Sequence, residues 1–255
     1  MSGHGRRSIA LVPALALVAA CGTVDDDATA PSTTVRVLAA ASLTEAFTDL
    51  GHAFEAAHEG TKVELSFASS SALAQQIDDG GPADVFASAD EANMRKVVDA
   101  GNATDAEVIA RNRLAILVEK GNPKGVSGLA DLAQRDVVLV LCAPAVPCGK
   151  YAAAALEKAG VTVNPASLEE NVKAAASKVT LGEADAGIVY ATDVKAAGDE
   201  AEGVVIDIAD DPELLATYLM AKTTSASSDA ADAWMDFVRS DEGQHVLAAR
   251  GFLSP

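Results

Sequence analysis

The sequence predicts an α/β protein with two lobes, each a mostly parallel sheet flanked by helices, and a cleft between the lobes. Short apolar runs alternate with segments of helical periodicity, and strands that are separated by helices favour parallel sheets with covered faces. The alternation comes in two series on either side of the turn Gly121-Asn122-Pro123, which indicates two lobes. Ligands of such sheets often bind beyond the carboxyl ends of the strands, so we expect the site in the cleft.

The first series predicts four strands and three helices. The first helix begins at Ser42, and Leu43, Phe47, Leu50 and Phe54 follow at the spacing of a core-facing stripe. The predicted strands cover residues 35–39, 63–67, 84–87 and 114–118, and the other two helices cover residues 71–78 and 90–100.

The second series has the same character and ends in two helices. Its predicted strands cover residues 137–141 and 186–190, with a return strand at 218–221, and its helices cover residues 149–159, 172–181, a segment around Trp234 and 244–249. We therefore assign residues 35–113 and 222–255 to lobe 1 and residues 114–221 to lobe 2.

The N-terminus predicts export and a lipid anchor. Residues 1–20 are typical of a signal peptide, because Arg6 and Arg7 precede an apolar run that is too short to span a bilayer and ends in small residues. The segment Val18-Ala-Ala-Cys21 resembles a bacterial lipobox, in which the cysteine is lipidated and becomes the first mature residue. A plain secretory signal stays open as an alternative, as does the choice between Sec and twin-arginine export.

The polar residues 21–34 predict a flexible linker between this anchor and the folded domain. We expect no other attachment to the membrane, and a location on the outer face of the cytoplasmic membrane.

The charge balance excludes one class of partner. The chain has 19 Lys and Arg against 37 Asp and Glu, a net charge of −18. Removal of the signal peptide takes away two arginines and no acid, so the balance becomes 17 − 37 = −20. A protein of this charge repels nucleic acids and anionic headgroups, so we expect no nucleic-acid partner.

Two cysteines lie in the predicted domain, Cys142 and Cys148. Five residues separate them, which is too wide for a CxxC redox centre, and no nearby His or Cys adds ligands for zinc. In an oxidising exported setting they form either a local disulfide or two free thiols, and the sequence leaves both open.

Small and hydroxylated residues mark five strand-to-helix junctions, at residues 39–45, 67–72, 87–91, 142–150 and 169–172. Each one alone is explained as a helix cap, and Ser42 with Glu45 and Ser88 with Glu91 match the capping-box pattern. Together they indicate more, because several helix N-termini that converge on one cleft offer unpaired N–H groups and partial positive charge to an anion. Such neutral donors suit a strongly acidic protein.

Four motifs, in order, resemble those of the periplasmic molybdate-binding proteins of ABC importers. They are Leu38-Ala-Ala-Ala-Ser-Leu-Thr44, Phe67-Ala-Ser-Ser-Ser71, Pro82-Ala-Asp-Val-Phe86 with Ser88-Ala-Asp90, and Gly187-Ile-Val-Tyr190. The resemblance covers about residues 35–252 and implies a type II periplasmic-binding-protein fold that closes on its ligand. It also implies that Ser42 and Ser70 donate side-chain and backbone hydrogen bonds to the oxyanion.

The same resemblance implies four further donors. Ala89, Cys148 and Val172 would each give a backbone N–H, and Tyr190 would give its phenolic O–H. The chain departs from the family pattern where Cys142 and Cys148 bracket the binding loop, so a disulfide there would stiffen the loop.

The resemblance implies a binding protein that takes molybdate, with tungstate as a co-ligand, and delivers it to the membrane permease of an ABC importer. We expect no cofactor, no bare metal cation, no enzymatic activity and a monomer. Another oxyanion such as sulfate remains an alternative ligand. An exported serine hydrolase is a weaker alternative, because the chain has no G-x-S-x-G elbow and its histidines lack a catalytic context.

Overall fold

The computed structural model describes residues 33–226 and 228–255. The predicted signal peptide, Cys21 and nearly all of the linker lie outside the described residues. Within the described part, no helix combines the length and the hydropathy needed to cross a membrane.

Ten strands and eight α-helices make up the described chain. The strands are β1 Thr33–Ala40, β2 Thr61–Ala68, β3 Val85–Ser88, β4 Ala103–Asn112, β5 Leu114–Glu119, β6 Leu139–Cys142, β7 Ser167–Glu169, β8 Ala186–Tyr190, β9 Ala201–Val205 and β10 Ala216–Thr223. The helices are α1 Thr44–Ala57, α2 Ser70–Asp78, α3 Glu91–Asp99, α4 Pro147–Lys158, α5 Val172–Thr180, α6 Ala191–Ala197, α7 Ala230–Arg239 and α8 Asp241–Ala249.

The strands form two five-stranded sheets of matching topology. The first has the order β2-β1-β3-β10-β4, and the second has the order β7-β6-β8-β5-β9. In each sheet the first three strands are parallel, and an antiparallel pair of strands extends them. The predicted two-lobed α/β fold is confirmed, and the parallel half of each sheet is the half whose strands lead into helices.

The boundary between the lobes needs one correction. We predicted that residues 114–221 form lobe 2, but β10 (Ala216–Thr223) pairs with β3 and β4 of the first sheet. The chain therefore crosses between the sheets at Arg113, after β4, and again between residues 206 and 215. Periodicity identified a return strand, but it does not say to which sheet a strand returns.

Three strands have no counterpart in the sequence-based prediction: β4, β7 and β9. All three are edge strands. Most of β4 before Ile109 is exposed, as are Glu202, Gly203 and Val205 of β9. Edge strands of this kind carry no continuous apolar run, which is the signal that identified the central strands.

Aromatic residues fix the C-terminal helices on lobe 1. The Trp234 ring on α7 packs edge-on against Phe47 and Phe54 of α1, with ring centroids 5.7 and 5.4 Å apart. All three side chains are fully buried. The helical stripe predicted for α1 is thus the surface on which the end of the chain packs.

The loop between β6 and α4 is tightly constrained. Cys142, the last residue of β6, is disulfide-bonded to Cys148 in the first turn of α4. Gly149 follows at a place where a Cβ atom would overlap the carbonyl oxygen of Ala143. The helix N-terminus can approach this loop so closely only because residue 149 has no side chain.

We predict that Gly149→Ala lowers the free energy of unfolding by about 1–3 kcal/mol, the usual cost of overpacking. Denaturant unfolding of the oxidised protein would measure the change. Gly128→Ala is the matched control, because a Cβ atom there meets nothing within 4 Å and the backbone is extended. Equal stability of the two variants would contradict the close approach seen at Gly149.

Candidate functional site

Six strands lead into the cleft between the sheets, and one of the six residues named from the sequence lies at the end of each strand or follows it. In lobe 1, Ser42, Ser70 and Ala89 come just after β1, β2 and β3. In lobe 2, Cys148 and Val172 follow β6 and β7, and Tyr190 ends β8. The carboxyl ends of parallel strands meet at one edge of each sheet, and the two edges face each other.

All six residues line one small cavity between the lobes. Five more residues complete the lining, and the motifs did not single them out as ligands: Ala40, Ala41, Ser69, Pro147 and Asn171. None of the eleven side chains is charged. Most are small, which lets backbone atoms reach the cavity surface.

Helix N-termini supply much of this surface. Ser70 is the first residue of α2, Val172 is the first residue of α5, and Cys148 is the second residue of α4. N–H groups in the first turn of a helix have no intrahelical acceptor and carry partial positive charge. The disulfide involves only the side chain of Cys148 and does not prevent the backbone N–H of this residue from donating a hydrogen bond.

Ser42 makes a contact that the sequence did not indicate. Its Oγ lies 2.7 Å from the hydroxyl oxygen of Tyr218, 176 positions further along the chain. The capping box predicted for Ser42 and Glu45 is wrong, because Ser42 does not cap α1 and the Glu45 carboxylate pairs with Lys173.

Ala89 and Ser70 are bonded to each other inside the cavity wall. The backbone N–H of Ala89 donates to Ser70 Oγ over 2.9 Å, and both residues are buried. Because this bond occupies a lone pair of the Ser70 hydroxyl, the hydroxyl proton is left for another acceptor. The structure therefore gives Ala89 a supporting contact with Ser70.

The second predicted capping box is also wrong. Asp90 caps α3, with its Oδ1 accepting from the N–H of Asn93 over 2.9 Å, and Ser88 Oγ donates to the carbonyl oxygen of Asp90. The second carboxylate oxygen of Asp90, Oδ2, accepts from Lys150 Nζ.

Tyr190 carries an unpaired donor. Its side chain is fully buried in the cavity wall, and its hydroxyl has no hydrogen-bond partner among the described residues. A buried polar group without a partner is costly, and such groups are rare in folded proteins. Burial raises the pKa of Tyr190 well above its ordinary value, so the phenol stays protonated and can only gain from an acceptor in the cavity.

Two ion pairs bridge the lobes beside the cavity. Lys150 Nζ of α4 lies 2.8 Å from Oδ2 of Asp90 in lobe 1. Lys173 Nζ of α5 lies 2.7 Å from Oε2 of Glu45 in lobe 1 and 3.0 Å from Oδ1 of Asp193 in its own lobe. These contacts hold the lobes together in the structure.

The charge of Lys173 is secured by its partners. Burial on its own would lower the pKa of Lys173, but the carboxylates of Asp193 and Glu45 outweigh it and the pKa is raised. The ammonium group therefore stays charged next to Val172, at the N-terminus of α5.

Comparisons with known proteins identify the family of this chain. The family of bacterial extracellular solute-binding proteins matches residues 35–253. The molybdate-binding protein ModA of Mycobacterium tuberculosis is 36% identical over 228 residues, which cover 86% of this chain and 84% of that protein.

Two solved structures share the fold. The periplasmic molybdate-binding protein of Azotobacter vinelandii superimposes with a TM-score of 0.74 at 22% identity, covering 87% of this chain and 99% of that one. The sulfate-binding protein SubI of Mycobacterium tuberculosis gives a TM-score of 0.72 at 20% identity, covering 86% of each chain. The resemblance indicated by the four motifs is confirmed, and the chain belongs to the bacterial extracellular solute-binding proteins.

Proposed function

We propose that this chain captures molybdate, and tungstate with it, and presents the closed complex to the permease of an ABC importer. The observation that carries the proposal is the cavity, in which neutral donors from both lobes surround a fully buried tyrosine hydroxyl that has no partner in residues 33–226 and 228–255. The similarity to proteins named as molybdate-binding supports this choice of ligand. Its family consists of binding proteins, so its role is capture and not catalysis.

In this proposal five of the six residues donate hydrogen bonds to the anion, whereas the Ala89 N–H, expected from the sequence to do the same, donates to Ser70 Oγ instead. Ser42 and Ser70 offer hydroxyls and backbone N–H groups, Cys148 and Val172 offer N–H groups of helix N-termini, and Tyr190 offers its phenol. Ala89 orients Ser70 through the bond described above. Because donors come from both lobes, the bound anion stabilises the closed state, in which the lobes are in contact. Anion binding is thereby coupled to closure of the lobes.

The donor set also accounts for selectivity. No carboxylate lines the cavity among the described residues, so the O–H of a protonated phosphate would find no charged acceptor there. Sulfate has the same charge and shape as molybdate but is smaller. It is the second candidate, because a protein named as sulfate-binding has a similar fold. Selection of molybdate over sulfate then depends on the distances between the donors in the cavity.

The cellular setting in this proposal follows from the N-terminal sequence. Lipidation of Cys21 would hold the protein on the outer face of the cytoplasmic membrane, and residues 21–34 would let the domain reach the permease. We propose a monomer, because the cavity is complete within one chain.

Calorimetric titration of the mature domain tests the ligand. We expect molybdate and tungstate to bind and to raise the melting temperature, and we expect phosphate to do neither. A preference for sulfate would show that the motifs report the fold and not the ligand. Binding of none of the four anions would refute an oxyanion site.

We predict that Ser42→Ala and Tyr190→Phe each weaken molybdate binding by at least about tenfold, since a hydrogen bond to a charged group contributes about 1.5–3 kcal/mol. Ser71→Ala is the control, because this neighbouring serine on α2 does not line the cavity. Unchanged affinity in both site variants would remove Ser42 and Tyr190 from the site.

We also predict that Lys150→Met lowers molybdate affinity by about fivefold, mainly through faster release. The variant loses a bond across the lobes and leaves the buried Asp90 carboxylate uncompensated near the anion. Stopped-flow release measurements would detect the change. Lys222→Met, which breaks a pair with Asp232 inside lobe 1, should leave release unchanged. Equal rates in the two variants would contradict a role of the cross-lobe pair in closure.

A further inference from the structure

A buried chain of polar groups runs from Ser42 into the contact between the lobes. Ser42 Oγ lies 2.7 Å from Tyr218 Oη, and Tyr218 Oη lies 3.5 Å from Nδ2 of Asn112. The same Nδ2 donates to Oγ1 of Thr192 over 2.8 Å. All four residues are buried, but only Ser42 lines the cavity.

The orientation of the Asn112 amide determines which groups donate and which accept in this chain of polar groups. The Nδ2 protons go to Thr192 and Tyr218, and Oδ1 has no partner within the part of the chain that the structure describes. The opposite orientation of the amide would bury two unpaired N–H donors in place of one unpaired acceptor, and orphaned buried donors are the rarer and costlier case. Asn112 is therefore a donor to Tyr218.

The donor role of Asn112 in turn determines the hydrogen-bond roles of Tyr218 and Ser42. The Nδ2 group of Asn112 cannot accept, so the Tyr218 proton donates to Ser42 Oγ, the other partner of this hydroxyl. One lone pair of Ser42 Oγ is thereby occupied, and the single proton of Ser42 is left for the cavity.

The surroundings hold this arrangement in place. The Tyr218 ring is fully buried and packs edge-on against Phe252 and Tyr190, with centroids 5.2 and 6.3 Å apart. Asn112 is the last residue of β4, next to the crossing into the second sheet, and Thr192 belongs to α6 of lobe 2. The direction of the Ser42 proton is thus tied to the state in which the lobes are in contact.

We propose that Tyr218 and Asn112 are positioning residues that make Ser42 an obligate donor and thereby select fully deprotonated oxyanions. The inference rests on the proposed function, since it requires that the cavity bind a tetrahedral oxyanion. Without Tyr218 the Ser42 hydroxyl could rotate, and it could accept a hydrogen bond from the O–H of hydrogen phosphate as readily as it donates one to molybdate.

A double-mutant cycle tests the proposal. Molybdate, tungstate, sulfate and phosphate are titrated against the wild type, Tyr218→Phe, Ser42→Ala and the double variant. We expect Tyr218→Phe to weaken binding of the preferred dianion by about fivefold and to raise the phosphate-to-dianion affinity ratio. In the Ser42→Ala background the same change should have no further effect, because Tyr218 acts only through Ser42.

Two further variants separate positioning from packing. Asn112→Ala leaves the Tyr218 ring in place and should reproduce the loss and its dependence on Ser42. Tyr151→Phe removes another phenol of the interlobe cleft, outside this chain of groups, and its effect should be the same in both Ser42 backgrounds. Melting temperatures of all variants establish that each one is folded.

The outcomes are distinct. If the wild type binds molybdate or tungstate and the losses from Tyr218→Phe and Ser42→Ala simply add, the positioning role is overturned while the proposed function stands. Unchanged affinity and unchanged selectivity in Tyr218→Phe and Asn112→Ala would overturn it as well. A wild type that binds none of the four anions overturns the proposed function and this inference together.

Discussion

Unpaired backbone N–H groups at helix N-termini are the constraint on which the rest of this structure depends. Each must find an acceptor or water, and α2, α4 and α5 all begin at the same cavity. Donors this close together require small residues around them, which accounts for the Ala and Ser junctions. Gly149 is the sharpest case, because any side chain there would push α4 away from the Ala143 carbonyl.

The neutral donors of the cavity avoid the cost of burying charged side chains there. The chain carries a formal charge of −18, which repels an anion at long range, and buried arginine or lysine in the cavity would be expensive to desolvate. Here the two nearby lysines, Lys150 and Lys173, remain outside the cavity and pair with carboxylates of the opposite lobe. Their charges therefore hold the lobes together, while dipoles and hydroxyls face the cavity.

The two lobes are coupled behind the cavity as well as beside it. Tyr218 belongs to β10, which returns from lobe 2 to lie between β3 and β4 of the first sheet, and its ring packs against both Tyr190 of lobe 2 and Phe252 near the C-terminus. The return strand thus carries a side chain to the back of Ser42. A fold in which residues 216–223 stayed with lobe 2 would leave Ser42 without this partner.

The sequence by itself determined the alternation of strands and helices, the central strands of both lobes and the family of binding proteins. Through the resemblance to a known family it also named six of the eleven residues that line the cavity, because the motifs that carry the resemblance are local and lie where parallel strands end. Only the tertiary structure decided which distant groups meet. Ser42 bonds to Tyr218 across 176 positions, and Lys173 bonds to Glu45 across 128 positions. Hydrophobic periodicity indicates which face of a helix or strand is buried. The partner of a buried polar group depends instead on the order and connection of the strands in the sheets, which only the whole chain determines.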